Sequence, residues 1–269
     1  MALAMTKRAR AADTAWHALT HELDRWLESG RTATFWWRDD DACDATPALT
    51  ALLAQRDALD VPLALAVVPA TATPPLREWL NGTTEIAVLQ HGYSHKNFAY
   101  EGERKIELDG SRPAAYVIGD LATGAQALTK FSGHLPVLVP PWNRIAPHLL
   151  PLLPEIGFTG LSTLGPRRKP KAFPGLGANN VHIDPIDWRG KVTGRPGGFA
   201  GVEATIGSAI AHLAARRTGE ADANEATGLM THHAVMETDS QDFVAEFVSL
   251  VRDHPAANWL SAGEIFAVP

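Results

Sequence analysis

Two groups of side chains in this sequence have the types and spacing to do chemistry. His91 and His95 stand four apart in HGYSH (91–95), and Asp39, Asp40 and Asp41 are consecutive in RDDDACD (38–44). A turn of helix or a tight loop can direct both imidazoles at one ion. One aspartate from another segment would complete an Asp-His-His set with open coordination positions, which suits a catalytic divalent metal such as zinc. An HxxxH pair alone is more often accidental, and Gly92 stands where a zinc-protease motif carries Glu. Three adjacent carboxylates repel one another unless they are solvated or partnered by a cation; the plain alternative is an exposed acidic turn. A calcium loop does not fit. Its alternate positions would be Asp39, Asp41 and Cys43, its sixth would be Asp44 rather than glycine, and its twelfth is Thr50.

Further candidates flank these two. Strand alternation would send His232 and His233 to opposite faces, so that at most one reaches a common site. Asp187 or Asp184 could orient that histidine and raise its basicity, or simply cap a turn. Trp36, Trp37 and Trp142 lie beside the motifs and could floor a sugar site, although core packing suits Trp36 and Trp37 better. Cys43 reads as a small buried apolar residue rather than a ligand.

Such residues need a scaffold. Short apolar runs at 33–37, 62–68, 85–90, 136–140, 159–163, 180–183, 228–231 and 258–262 predict strands. Helical patterns fall near 46–59, 114–130, 147–156, 200–216 and 240–253. An opening helix over 13–29 places Trp16, Leu19, Leu23, Trp26 and Leu27 on one face, with Asp13 as N-cap and Gly30 as stop. Apolar strands alternating with amphipathic helices imply a parallel sheet covered by helices. The polar motifs follow five of the strands, which is the face where an α/β barrel carries its active site. The segment 166–178 reads as a loop whose basic cluster (Arg167, Arg168, Lys169, Lys171) is solvated. The glycine-rich stretch 193–201 lacks the spacing of a phosphate-binding loop.

Composition narrows the class. The chain has 269 residues, 24 Lys+Arg against 30 Asp+Glu (net charge −6), 45% hydrophobic residues and one cysteine. Disorder is excluded by this balance, and a dedicated nucleic-acid binder would need a basic face. No apolar run reaches the roughly 20 residues that span a bilayer. The basic-then-apolar order of a secretory signal is missing, and a lone cysteine suits a reducing compartment; together these predict a cytoplasmic protein.

From about residue 33 to 266 the ordered motifs resemble the polysaccharide deacetylase family (the NodB-homology domain, similar to carbohydrate esterase family 4). The family's TFDDG motif aligns with Asp40-Asp41-Ala42, with Asp39-Asp40 as the alternative register. Its H(S/T)xxH motif matches His91 to His95, with Gly92 in place of the hydroxyl residue. Its RxPxG-like motif matches Val139 to Asn143 without the arginine, for which Arg38 or Arg144 is the nearest substitute. Asp187-Trp188 matches the motif ending in DW, and Met230-Thr231-His232 matches LxH, with His233 where an aspartate often follows.

The resemblance implies a distorted (β/α) barrel of 7–8 mostly parallel strands over 33–269, preceded by an N-terminal helical extension (1–32). It implies a metal-dependent hydrolase cleaving an amide or ester acyl group from an amino sugar or related small N-acyl compound. Asp41, His91 and His95 would hold a divalent metal, zinc foremost with cobalt, nickel or manganese as alternatives. Asp40 would be the base and His232, oriented by Asp187, the acid, with the backbone N–H near Trp142 stabilising the oxyanion. The expected partner is a small-molecule or oligosaccharide substrate, with no nucleic acid or membrane; a homo-oligomer is compatible. Two other readings are a hydrolase of cyclic amides or ureides on the same fold and a non-catalytic carbohydrate-binding relative.

Overall fold

The computed structural model describes residues 2–267; Met1, Val268 and Pro269 lie outside them. The strands are β1 (Ala33–Ala42), β2 (Leu63–Val67), β3 (Ile86–His91), β4 (His134–Val139), β5 (Gly160–Leu161), β6 (Lys171–Phe173), β7 (Leu176–Ala178), β8 (Ile186–Asp187), β9 (Gly198–Phe199), β10 (Thr227–Thr231) and β11 (Ala257–Trp259). The α-helices are α1 (Ala2–Glu28), α2 (Pro47–Leu59), α3 (Pro74–Asn81), α4 (Ala114–Leu128), α5 (Val202–Thr218), α6 (Thr238–Asp253) and α7 (Ala262–Ile265). The main sheet runs β10-β1-β2-β3-β4-β5-β7-β6, with β11 beside the start of β1. Its pairings are parallel except for the β6–β7 hairpin. This is the distorted, mostly parallel (β/α) barrel that the sequence implies.

Strand alternation creates two apolar layers. Phe35, Trp37, Leu63, Leu65 and Val67 point outward and pack beneath the helices with Leu49, Leu213 and Phe247. Trp36, Ala64, Ala66, Leu89 and Val139 point inward and fill the centre with Val181 and Met230. Both tryptophans of β1 are therefore core residues, and each indole N–H is satisfied: Trp36 donates to Asn180 O and Trp37 to Thr231 Oγ1. Helix α1 joins the same outer core through the fully buried Leu19 and Leu23, and Trp16 stacks on Phe243 at 5.5 Å.

Several elements differ from their sequence signals. Strand β1 continues five residues beyond Trp37, carrying the aspartates inside the sheet because β2 and β10 supply ladder partners on both edges. Helix α1 begins well before Asp13, whose carbonyl accepts from the His17 ring, while Gly30 (φ 66°) ends it as expected. Residues 147–156 form 3₁₀ turns because Pro147, Pro151 and Pro154 remove helical donors. The basic 166–178 segment contains the β6–β7 hairpin, and Arg167 is tied down by Asp222 at 2.9 Å. No helix among the described residues is long and apolar enough to cross a membrane.

Residues 180–183, expected as a strand, pair only through single parallel bridges, Leu164 with Val181 and Ile183 with Leu229; these bring the two ends of the sheet together. A buried carboxylate secures that seam. Glu225 accepts from the amides of Asn180 (3.0 Å) and Arg167 (2.8 Å), and the Nε2 atoms of His182 and His212 lie 3.5 and 3.6 Å from it. Burial pushes His182 down to about 4 and lowers His212 as well. For Glu225 burial acts upward, but the two imidazoles hold its carboxyl well below the usual range.

An imidazole kept neutral by folding takes up its proton first in the unfolded chain. Stability therefore falls as pH drops from 6.5 toward 4, and Glu225 extends the loss below its ordinary 4.5. His182 alone should remove about 2 kcal/mol at pH 5 relative to pH 7. Thermal melts should show Tm falling by several degrees over that interval, with a shallower slope in His182→Gln; parallel slopes would contradict the assignment.

Candidate metal centre and active site

The three aspartates of β1 take three different environments. Arg38 and Asp40, two apart, both face the barrel interior. Arg38 Nε donates to Asp40 Oδ1 (2.8 Å) and Nη2 to Asp40 Oδ2 (2.9 Å). The rest of the guanidinium is held by Ser162 Oγ (2.7 Å) and Asn143 Oδ1 (2.8 Å). Both partners of the pair are essentially fully buried, and a buried ion pair persists only when its remaining donors are satisfied, as they are here. Asp39 points the other way, accepting from Thr231 Oγ1 (2.7 Å) and from the backbone N–H (2.9 Å) and ring Nδ1 of His233. The ladder then slips between Asp39 and Ala42, and Asp41 adopts φ 73°. That left-handed residue breaks the alternation and turns the third carboxylate toward β3.

There it meets His91 and His95. Their Nε2 atoms lie 3.1 and 3.2 Å from Asp41 Oδ1, yet neither contact has hydrogen-bond geometry and Oδ1 is buried without a partner. All three ligand atoms lie within 4.8 Å of one another. His91 Nδ1 lies 3.0 Å from Val139 O, and a carbonyl only accepts, so Nδ1 carries the proton and Nε2 keeps a free lone pair. An orphaned carboxylate oxygen beside an unprotonated imidazole nitrogen is a donor set that fits a divalent cation. Burial acts upward on Asp41, but the two imidazoles hold its carboxyl well below the usual range. Burial opposes protonation of His91, and the Asp41 carboxylate raises it.

The loop holding His95 is a tight turn rather than a helix, with φ 56° at both Gly92 and His95. Its support was not read from the sequence. Buried Glu107 accepts from the amides of Tyr93 (3.2 Å) and Ser94 (2.7 Å), and Gln90 Nε2 donates to Gly92 O. A Cβ on Gly92 would stand 2.0 Å from Glu107 Oε2 and 2.6 Å from Pro141, so the hydroxyl residue of the resembled motif has no room here.

The remaining candidates fall around this centre. The Trp142 ring, on a residue with φ 54°, lies 4.4 Å from that of His95. Its neighbour Asn143 anchors Arg38, whereas Arg144 donates to Lys105 O; of the two substitutes for the missing arginine, Arg38 is the one that reaches Asp40. His232 and His233 separate as alternation requires, with His232 4.7 Å from the Trp188 ring. Asp187, expected to orient His232, instead accepts from the backbone amides of Arg189, Val192 and Thr193, and builds a turn. Asp184 lies close enough for the two charges to interact, while accepting from Trp188 Nε1 (2.8 Å). Burial raises the Asp184 carboxyl, and His232 opposes that rise. Nothing in D-P-I-D distinguishes the two acids before folding. Cys43 is half-buried with its thiol pushed up by burial, so it stays protonated.

His182, His212 and Glu225 are the other described group whose ligand atoms converge. There the His182 Nδ1 accepts from the Gly228 N–H (3.0 Å), which places the proton on Nε2 and removes that atom as a ligand.

No protein-family model and no curated protein matches the sequence. Solved structures do match its fold. That fold is the one shared by polysaccharide deacetylases and family 4 carbohydrate esterases. A protein of Mycobacterium smegmatis classed with the polysaccharide deacetylases superposes with a TM-score of 0.60 at 20% identity, covering 88% of this chain and 90% of its own. The Bc1960 peptidoglycan N-acetylglucosamine deacetylase gives 0.53 at 15% identity, over 91% and 97% of the two chains. A family 4 acetyl xylan esterase from Clostridium thermocellum, in complex with a cobalt ion, gives 0.51 at 13% identity, over 88% and 93%.

Titration with Co²⁺, followed by its visible absorption and by calorimetry, should give one ion per chain. Binding should be lost in His91→Ala and kept in His182→Gln; two ions per chain would contradict the tautomer argument. Gly92→Ser should weaken metal binding and cost about 1–3 kcal/mol of stability, because strain and overlap with Glu107 cannot both be relieved.

Proposed function

We propose that this protein is a metal-dependent hydrolase that removes an acyl group, acetyl foremost, from the nitrogen of an amino sugar or related small N-acyl compound. The observation that carries the reading is the placement of the Asp41-His91-His95 ligand set beside an arginine-clamped Asp40, at the carboxyl end of a parallel barrel. The solved proteins sharing the fold support it, being deacetylases and esterases acting on peptidoglycan and xylan; one is complexed with cobalt and one with acetate. Zinc suits the donor set, and cobalt is the probe of choice.

A divalent ion held by Asp41, His91 and His95 would supply Lewis acidity, bringing the pKa of water toward about 7 and polarising the acyl carbonyl. Asp40 accepts the proton of the attacking water. Its two oxygens face Arg38, which fixes the carboxylate in direction for that task. The Trp142 amide faces the developing oxyanion; the turn that holds it is closed by Asn143 N–H on Pro140 O and Arg144 N–H on Pro141 O. His232 delivers a proton to the leaving nitrogen, so that amide and water become carboxylic acid and amine. Asp184 is the acid whose charge reaches His232, and Asp187 shapes the turn that carries Trp188.

Metal-loaded protein should release acetate from N-acetylated amino sugars. Asp40→Asn should lower kcat by about 10²–10⁴ while leaving Co²⁺ affinity intact. Equal turnover by this variant would remove Asp40 as the base.

A further inference from the structure

Although the whole chain carries a net charge of −6, several cationic side chains lie on the loops around the site. Lys105 Nζ lies 6.0 Å from the centroid of the Trp142 ring, the ring that packs on metal-ligand candidate His95. Arg144 Nη1 donates to Lys105 O, which fixes its guanidinium at the same edge. Arg189 follows Trp188, whose ring packs on His232. Arg104 and Arg189 come near enough to Arg144 that, after burial, their charges lower its pKa. Lys105 and Arg144 thus share the edge of the Trp142 ring, and Arg104 and Arg189 lie within electrostatic reach of Arg144.

None of the four is in a salt bridge among the described residues, whereas Arg38, Arg56, Arg112, Arg167, Arg195, Arg217 and Arg252 all are. No salt bridge among the described residues joins them to the glutamates of the same loop: Glu103 accepts from the Tyr100 amide, and buried Glu107 is turned onto the amides of Tyr93 and Ser94. Cations held together without counter-ions repel, and the arrangement costs free energy that a bound anion would offset. Guanidinium groups are suited to planar or tetrahedral oxyanions through paired N–H donors.

Resting on the acyl-hydrolase reading of the site, we propose that the substrate is anionic: an N-acyl compound whose leaving portion carries a carboxylate or phosphate, held by Arg144 and Arg189 with Arg104 and Lys105 at the rim. The rim also counters the repulsion that a net negative protein exerts on such a substrate, raising its local concentration at the mouth.

The test uses the metal-loaded full chain and matched compounds: N-acetylglucosamine, its 6-phosphate, and the carboxylate-bearing N-acetylmuramic acid. At low salt kcat/KM should favour the anions by about 10- to 100-fold. The preference should shrink in high salt, and the ratio should fall toward one in Arg144→Gln/Arg189→Gln. The exposed pair Arg104→Gln/Arg189→Gln gives the same readout should loss of Arg144 disturb the Lys105 loop. A preference for the phosphate alone or the carboxylate alone identifies which anion the rim serves. Equal kcat/KM for neutral and anionic compounds would overturn the anionic-substrate assignment and leave the hydrolase reading standing. If no compound is turned over, the hydrolase reading fails, and calorimetry with the 6-phosphate decides the rim separately. Binding lost in the arginine variants supports it; no binding, or binding the variants retain, overturns it.

Discussion

The structure depends on accommodating three consecutive carboxylates, two buried and one half-buried, each with a partner of its own. Asp39, Asp40 and Asp41 would repel one another if they shared a side of the strand. A two-residue period sends Asp40 inward and Asp39 outward, and one left-handed residue diverts Asp41 to a third direction. Each destination holds a different compensating group: a guanidinium for Asp40, a hydroxyl and an imidazole for Asp39, and two imidazoles with room for a cation for Asp41. Uncompensated, any one of these would cost several kcal/mol. The surrounding architecture is consequently constrained. Strand β10 must deliver Thr231 and His233 to one face of β1, while the turn after β4 and the end of β5 must deliver Asn143 and Ser162 to the other.

Supplying the arginine from β1 itself has a consequence for the turn after β4. In the resembled motif that turn provides the arginine. Here Arg38 lies two residues from Asp40 on the same face of the same strand, so carboxylate and clamp are positioned by one rigid element. Residues 140–144 are thereby released from that duty. Asn143 braces the far side of Arg38, Trp142 lies against His95, and Arg144 turns outward to the Lys105 backbone. The outward Arg144 and the clamped Asp40 thus go together with an arginine supplied from β1.

Much of this was legible in the sequence. Apolar runs and helical periods placed most of the barrel strands, and the polar motifs at their carboxyl ends placed the centre. What stayed hidden depends on contacts between segments distant in sequence. Strand β1 seemed to stop at Trp37 because charged residues rarely enter a sheet; only β2, β10 and the partners of the aspartates make the extension affordable. Glu107 sits in a stretch without motif or period, yet it buttresses the turn that carries His95. Asp184 and Asp187 are equivalent by spacing, and the turn that consumes the amides of Arg189, Val192 and Thr193 is what separates their roles. Residues 180–183 have the composition of a strand, but each half bridges a different neighbour, leaving no continuous ladder.

The two imidazole–carboxylate groups show how little of such chemistry lies in residue type. His91 and His182 are both buried, and both direct Nε2 toward a carboxylate. They differ in what the other nitrogen meets. A backbone carbonyl at Nδ1 of His91 demands a proton there and frees Nε2 as a ligand; a backbone N–H at Nδ1 of His182 demands a lone pair and makes Nε2 a donor. The charged surroundings agree with that division. Arg216 and Arg167 stand near the Glu225 group and disfavour a further cation, while at the Asp41 group the nearest arginine is already committed to Asp40. One main-chain atom in each case therefore separates a set with a free imidazole lone pair from a clamp that closes the seam of the barrel.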